Sequence, residues 1–228
     1  SSGGLAAVHS SGRDRNSIWD GLQRKETYGT SGDRILLWFD LVSESSIIPM
    51  GGSVETSSNP VFRVKAVGAF EQKPGCPDYS STNISDQEIE RICKNECYNP
   101  SDKRKLITRI EVVKVTPQTY RGESVDNLIS DPWKIINCEP SQQGCDIEFT
   151  DEEFNADSRD ASYYVRAIQE PSPAVNAENL RCTYDEEGNC VKVNICYGDN
   201  RTAREDDCLM LSEERAWSSP IYLNYYNL

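Results

Sequence analysis

The residues best suited to chemistry in this 228-residue chain stand close together near its start. His9 follows the apolar run Leu5, Ala6, Ala7, Val8, and Arg13 and Arg15 come after it in a Ser/Gly/Arg/Asp loop. A histidine at a strand end is a candidate metal ligand or phosphate contact. Two neighbouring guanidinium groups can clamp an anion through planar paired donors. Tyr28, Thr30, Ser31 and Gly32 add hydroxyls and a turn whose main-chain N–H groups can face a ligand, so with Arg13 and Arg15 they make the candidate substrate pocket. Each has a plainer reading beside it. A lone histidine is more often a hydrogen-bonded structural residue, arginines at a helix start are often only solvated, and a Gly-bracketed turn can simply join two segments.

Nine cysteines form the second set. Cys76 stands apart, and the remaining intervals are Cys93 to Cys97, Cys138 to Cys145, Cys182 to Cys190 and Cys196 to Cys208. None has the Cys-x-x-Cys spacing of a zinc ribbon, so disulfides are expected, and with them a periplasmic or secreted location. Cys182 and Cys190 flank Asp185-Glu186-Glu187-Gly188-Asn189 and are placed to face each other across a hairpin. An odd count leaves one cysteine over. Two acidic groups, Asp151, Glu152, Glu153, Asn155 and Asp157, and Asp199, Asn200, Glu205, Asp206 and Asp207, offer oxygen ligands for calcium. Neither has the spacing of an EF-hand loop, and solvated loops explain them more simply. Tyr163, Tyr164, Trp217, Tyr222, Tyr225 and Tyr226 suit a sugar-binding platform or, since alternating strands bury such rings, a core.

These groups need elements to position them. Leu5 to Val8 reads as a short strand buried on both faces. Asp14 suits the N-cap of a helix with Ile18, Trp19 and Leu22 on one face and Arg24 and Lys25 in its last turn. Thr27 and Tyr28 favour extension, and Arg34 to Val42 is apolar on both faces, the mark of a central strand. Ser43 to Pro60 reads as a loop. From Val61 to Phe70, Phe62, Val64, Ala66 and Phe70 alternate inward against Arg63 and Lys65. Ser85 to Glu88 is a capping box for a helix carrying Ile89, Ile92 and Cys93, ending near Asn99-Pro100. Leu106 to Val115, Asp146 to Phe149, Ser162 to Ile168 and Pro220 to Tyr225 read as strands, with Trp133 in a loop. The expected fold class is mainly β: a disulfide-stabilised, β-sandwich-like region with short helices over 34–228, preceded over 1–33 by the last βα unit of a truncated α/β barrel.

GGLAAVH, the helix ending in LQRKETYGTSG, and the later YYVRAIQEPSPAVN and RAWSSPIY resemble the C-terminal half of the bacterial domain-of-unknown-function 3604 family. That family is placed in the PHP (polymerase and histidinol phosphatase) superfamily of metal-dependent phosphoesterases. The resemblance runs from Gly3 to Tyr222. It implies a distorted barrel binding divalent metal, Mn, Zn or Fe, through His, Asp and Glu, followed by a β-rich C-terminal region. This sequence has a single His and no His-x-His motif. The metal ligands are therefore expected upstream of Ser1, in a barrel of the same protein that this chain partners.

Composition sets limits. A net charge of -13, from 37 acidic and 24 basic residues, argues against a nucleic-acid backbone as partner. No stretch reaches the roughly 20 apolar residues of a membrane span. With one His there is no Ser-His-Asp case beyond His9, and no Gly-x-Ser-x-Gly elbow or phosphate-binding loop occurs. The chain is expected to be the C-terminal part of a secreted or periplasmic PHP-like metal-dependent hydrolase acting on an anionic small molecule, not catalytically complete by itself. The alternative is a non-catalytic β-sandwich module that binds carbohydrate or protein at the cell surface.

Overall fold

Asp14 caps the first helix as its position predicts: one carboxylate oxygen accepts from the main-chain N–H groups of Asn16 and Ser17 at 3.0 and 3.1 Å, the other from the Ser17 hydroxyl. The computed structural model describes residues 3–43, 46–93 and 97–226. In it β1 (Leu5–Val8) leads through this helix, α1 (Arg15–Gln23), into β2 (Thr27–Thr30). The helix stops at Gln23, so Arg24 is its C-cap and Lys25 lies beyond it, not in the last turn. Then come β3 (Leu36–Val42), β4 (Ile47–Pro49), β5 (Ser53–Glu55) and β6 (Val61–Val67). The expected loop from Ser43 to Pro60 thus holds two short strands, with 44 and 45 outside the described residues.

A hairpin arm follows, built of β7 (Phe70–Pro74) and β8 (Tyr98–Arg104), with α2 (Asp78–Ser81) and α3 (Asp86–Cys93) between them. The Ser85 hydroxyl accepts from the Glu88 N–H at 3.3 Å, as the capping box predicts, but none of the residues of α3 is buried. The expected helix end near Asn99 is overrun by β8; residues 94–96 lie outside the described residues. Phe70, expected inward, is 39% exposed and carries the Arg104 guanidinium 3.7 Å from its ring centre.

The rest of the chain is β9 (Ile107–Val115), β10 (Ile129–Asn137), β11 (Cys145–Thr150), α4 (Phe154–Asp157), β12 (Ala161–Val175), the hairpin β13 (Cys182–Tyr184) and β14 (Cys190–Val193), then β15 (Leu209–Ser218) and β16 (Ile221–Asn224). Trp133 lies inside β10, not in a loop. That strand shifts register between Ser130 and Lys134, which breaks its alternation and hides it from a search for period two. β15 was not expected either. Its sequence, LMLSEERAWS, has no alternation, and pairing with β12 and β2 holds it extended.

Two sheets result. The larger runs β1-β2-β15-β12-β16-β5, with β9 and β10 added on the other edge of β12; the smaller runs β11-β6-β3-β4. All pairs are antiparallel except β16 with β5. The fold is therefore mainly β, as expected. The opening segment is antiparallel: β1 pairs with β2, and β2 pairs with β15. β1 is not buried on both faces, since Leu5 is 41% exposed. Beyond Gln169 the β9 side of β12 is open, so Pro171 and Pro173 stand in this 15-residue strand without breaking a two-sided ladder.

The core lies between the sheets. Leu37, Phe39, Leu41, Phe62, Val64, Ala66 and Phe149 of the smaller sheet face Val112, Tyr163, Val165, Ala167, Ala216, Ile221 and Leu223 of the larger. Phe62 is its centre, with ring centroids 5.4 Å from Phe39, 5.3 Å from Phe149 and 4.8 Å from Tyr163. The alternation in β3 and β6 dictates this: one set of side chains enters the core and the other, Trp38, Asp40, Arg63 and Lys65, must point outward.

Candidate functional site

The outward set of β3 and β6 meets the end of β1. Trp38 lies opposite Lys65 and Asp40 opposite Arg63 in the ladder, and these four line a cleft of about 270 Å³ on the outer face of the smaller sheet. His9 stands beside Trp38, next to the cleft. Its main-chain N–H donates to the Glu26 carbonyl at 2.8 Å, and its ring nitrogen Nε2 donates to the Leu37 carbonyl at 2.8 Å. The imidazole sits between Tyr28 and Trp38, with ring centroids 5.5 and 5.7 Å away. Gly21 makes this approach possible: a Cβ there would lie 2.4 Å from the His9 carbonyl oxygen.

The electrostatics are mixed. Burial pushes the Asp40 carboxyl above its ordinary value, His9 and Arg63 oppose that, and Glu26 adds to it. Burial likewise raises the Tyr28 phenol. Arg63 is held by Asp146, with Nε to Oδ1 at 2.9 Å and Nη2 to Oδ2 at 2.7 Å, and this pair keeps Asp146 below the usual carboxylate range. Lys65 makes no ion pair among the described residues; its ammonium stands 5.9 Å from the centre of the Trp38 ring. The cleft thus offers one cation outside any ion pair, an aromatic face and a carboxyl with raised proton affinity, with the His9 ring beside it.

The predicted pocket residues do not gather into one place. Val8 pairs with Thr27 and Leu5 with Thr30, so the His9 end and the Thr30 end of this hairpin are three residues apart, roughly 10 Å. Tyr28 joins His9. Arg13 and Arg15 are exposed and make no hydrogen bond or ion pair among the described residues. Ser31 is tied to β15: its N–H donates to the Arg215 carbonyl at 3.0 Å, its oxygen accepts from the Arg215 N–H at 2.9 Å, and its hydroxyl donates to Glu214. Thr30 is buried and pairs with Ala216, so Thr30 and Ser31 tie β2 to β15 within the larger sheet, and Gly32 lies in the bend that follows. Trp38, Asp40 and Lys65 were missed as site residues. Their only sequence signal was outward parity in strands whose other face is apolar.

The residues present do not fit the divalent-metal centre that a PHP-like enzyme needs. His9 commits Nε2 to a main-chain carbonyl. Among the described residues the two groups of three donors close enough to share an ion are Cys76, Cys93 and Cys97, and Cys196, Asp206 and Cys208. Each contains a disulfide, Cys76–Cys97 or Cys196–Cys208, and Asp206 is paired with Arg181 at 2.9 Å. The first acidic group is also spoken for. Asp151, almost wholly buried, accepts from Lys114 at 2.7 Å and from the Tyr163 hydroxyl at 2.6 Å, Asp157 accepts from Lys114 at 3.0 Å, and Asn155 bonds to Asn59 and the Ser57 carbonyl. In the second, Asp199 pairs with Arg201 and Asp207 accepts from the Leu209 N–H. The aromatic residues divide: Tyr163 is in the core, Tyr225 packs on Phe154, and Tyr222 and Tyr226 are exposed.

The cysteines pair as Cys76–Cys97, Cys138–Cys145, Cys182–Cys190 and Cys196–Cys208, and Cys93 is the free thiol. The hairpin pairing expected for Cys182 and Cys190 holds, while the neighbours Cys93 and Cys97 do not bond to each other. Four disulfides fit an oxidising compartment. No helix among the described residues is long and apolar enough to cross a membrane.

Comparison with known families returns one match that bears directly on this cleft. Residues 1–72 match the family model described as Protein of unknown function (DUF3604). His9, Tyr28, Trp38, Asp40, Arg63 and Lys65 all fall inside the matched segment. No curated protein and no solved structure matches the chain.

Proposed function

We propose that this chain is the β-sandwich part of a secreted or periplasmic PHP-like metal-dependent hydrolase of the phosphoesterase type. In this reading it binds the anionic small-molecule substrate at the Trp38 cleft and is not catalytically complete by itself. The observation that carries the reading is that every residue of the cleft lies within the DUF3604-matched segment, while β12 to β16, outside that segment, contribute none of them. Lys65 supplies the free cation for the anion, Arg63 the planar donors once Asp146 yields, and Trp38 an apolar wall. Asp40, whose proton affinity burial raises, can hold a proton at the rim, and His9 packs beside the Trp38 ring. The metal ligands belong to a barrel of the same protein outside these 228 residues. The four disulfides support the secreted or periplasmic assignment.

A second reading, a non-catalytic module that binds carbohydrate, is favoured by the half-buried Trp38 ring beside polar side chains on an open sheet face. Titration calorimetry with a phosphate monoester and with a neutral oligosaccharide separates the two. Binding of the ester that weakens with salt and falls at least tenfold in Lys65→Ala supports the hydrolase part. Salt-insensitive binding of the neutral sugar alone supports the module, and binding of neither sinks both. Stability of the parent protein that ignores chelators removes the metal-dependent reading.

A further inference from the structure

The hairpin arm carries three cysteines where one disulfide needs two. The Sγ atoms of Cys76, Cys93 and Cys97 all lie within 4.8 Å of one another, with Cys76 and Cys97 bonded and Cys93 free. A thiol in contact with a disulfide is the arrangement from which exchange proceeds, by attack of the free sulfur on one sulfur of the bond. The local structure leaves room for it. Cys93 ends α3, a helix none of whose residues is buried, so core packing does not hold the thiol in place. The three cysteines line an open cleft of about 530 Å³ with Pro74, Gly75 and Ile89. The strands that flank the cysteines are held independently of the disulfide: the Gly75 N–H donates to the Cys97 carbonyl at 2.9 Å and the Asn99 amide to the Gly75 carbonyl at 2.8 Å.

We propose that Cys76, Cys93 and Cys97 form a thiol–disulfide exchange centre in which Cys93 displaces Cys97 from Cys76. The Cys93 thiol gives its proton to solvent and its sulfur bonds to Cys76 Sγ. The Cys76–Cys97 bond breaks with its electron pair on Cys97 Sγ, which takes up a proton. One thiol and one disulfide are present before and after, so no oxidant or reductant is consumed. The arm then has two covalent forms. One presents its thiol at the end of α3, the other at the start of β8, and each thiol is a site for mixed-disulfide formation with a second thiol compound. This does not depend on the hydrolase reading, since the arm contributes nothing to the Trp38 cleft.

Peptide mapping tests it. Trypsin cuts after Arg91 and Lys94 and so places each of the three cysteines on its own peptide. The native protein is equilibrated in a glutathione redox buffer, quenched in acid, alkylated and digested without reduction. The expected result is two linked species, Cys76–Cys97 and Cys76–Cys93, the second at about one part in a hundred or more, which corresponds to about 2.8 kcal/mol or less at 1.4 kcal/mol per tenfold. The variant Cys97→Ala is expected to form Cys76–Cys93 and show no alkylatable thiol. Absence of the Cys76–Cys93 peptide from the wild-type digest overturns the proposal, and so do two alkylatable thiols in Cys97→Ala.

Discussion

Asp40 and Asp151 are both carboxylates on a β framework, and their surroundings drive them in opposite directions. Asp40 is half-buried in the cleft and its proton affinity is raised, chiefly by burial, so its anion costs stability above its folded pKa. Asp40→Asn is expected to raise the melting temperature at pH 7. The gain should disappear as the pH falls through the raised pKa to below the ordinary value of 3.8, which melting curves across that range would check. A gain at pH 7 accompanied by lost ligand binding would mark Asp40 as a residue kept for function. For Asp151 burial alone would raise the pKa, but Lys114, the Tyr163 hydroxyl and the Glu153 N–H together lower it. Its contribution is fully present above 3.8 and is lost as the pH falls through the depressed folded value. Asp151→Asn leaves the Lys114 ammonium in a largely buried site with only Asp157 as counter-charge. A loss of about 3 kcal/mol in denaturant unfolding is expected.

At the scale of elements, the N-terminal helix shows what its sequence does and does not say. Asp14 and the helix it caps were legible, because capping is local chemistry. The destination of the apolar face was not: Ile18, Trp19 and Leu22 are 36%, 59% and 46% exposed, and the helix sits on β1 through Gly21 instead. Gly21→Ala would force its Cβ against the His9 carbonyl oxygen and the Val8 side chain. A loss of about 1–3 kcal/mol is expected, together with a weaker ligand response in the cleft, since His9 would shift. Loss of stability with an unchanged cleft would detach α1 from the site. β3, β6, β9 and β11 were legible because they alternate or are rich in apolar and β-branched residues. β10 and β15 were not, since a register shift hides one and charged residues on a paired strand hide the other.

For the whole molecule, cross-links and burial share the work of holding a chain with many exposed apolar side chains. The hairpin of β13 and β14 has few buried residues of its own, so Cys182–Cys190 is its main restraint. Cys182→Ser is expected to lower stability by about 2–3 kcal/mol under oxidising conditions, measured by denaturant unfolding, whereas in excess reductant the variant and the parent should unfold alike. The sequence by itself determined the mainly β class, the capped helices, the inward and outward sets of β6, the preference for disulfides over zinc and the hairpin pairing of Cys182 with Cys190. Each follows from periodicity, capping or short loop closure, which act within a few residues. Tertiary structure alone decided that Thr30 and Ser31 are tied to β15, that Cys97 bonds to Cys76 across the arm, and that His9 meets Trp38. Those outcomes depend on strand order and on pairings between residues 20 or more positions apart, which no local pattern encodes.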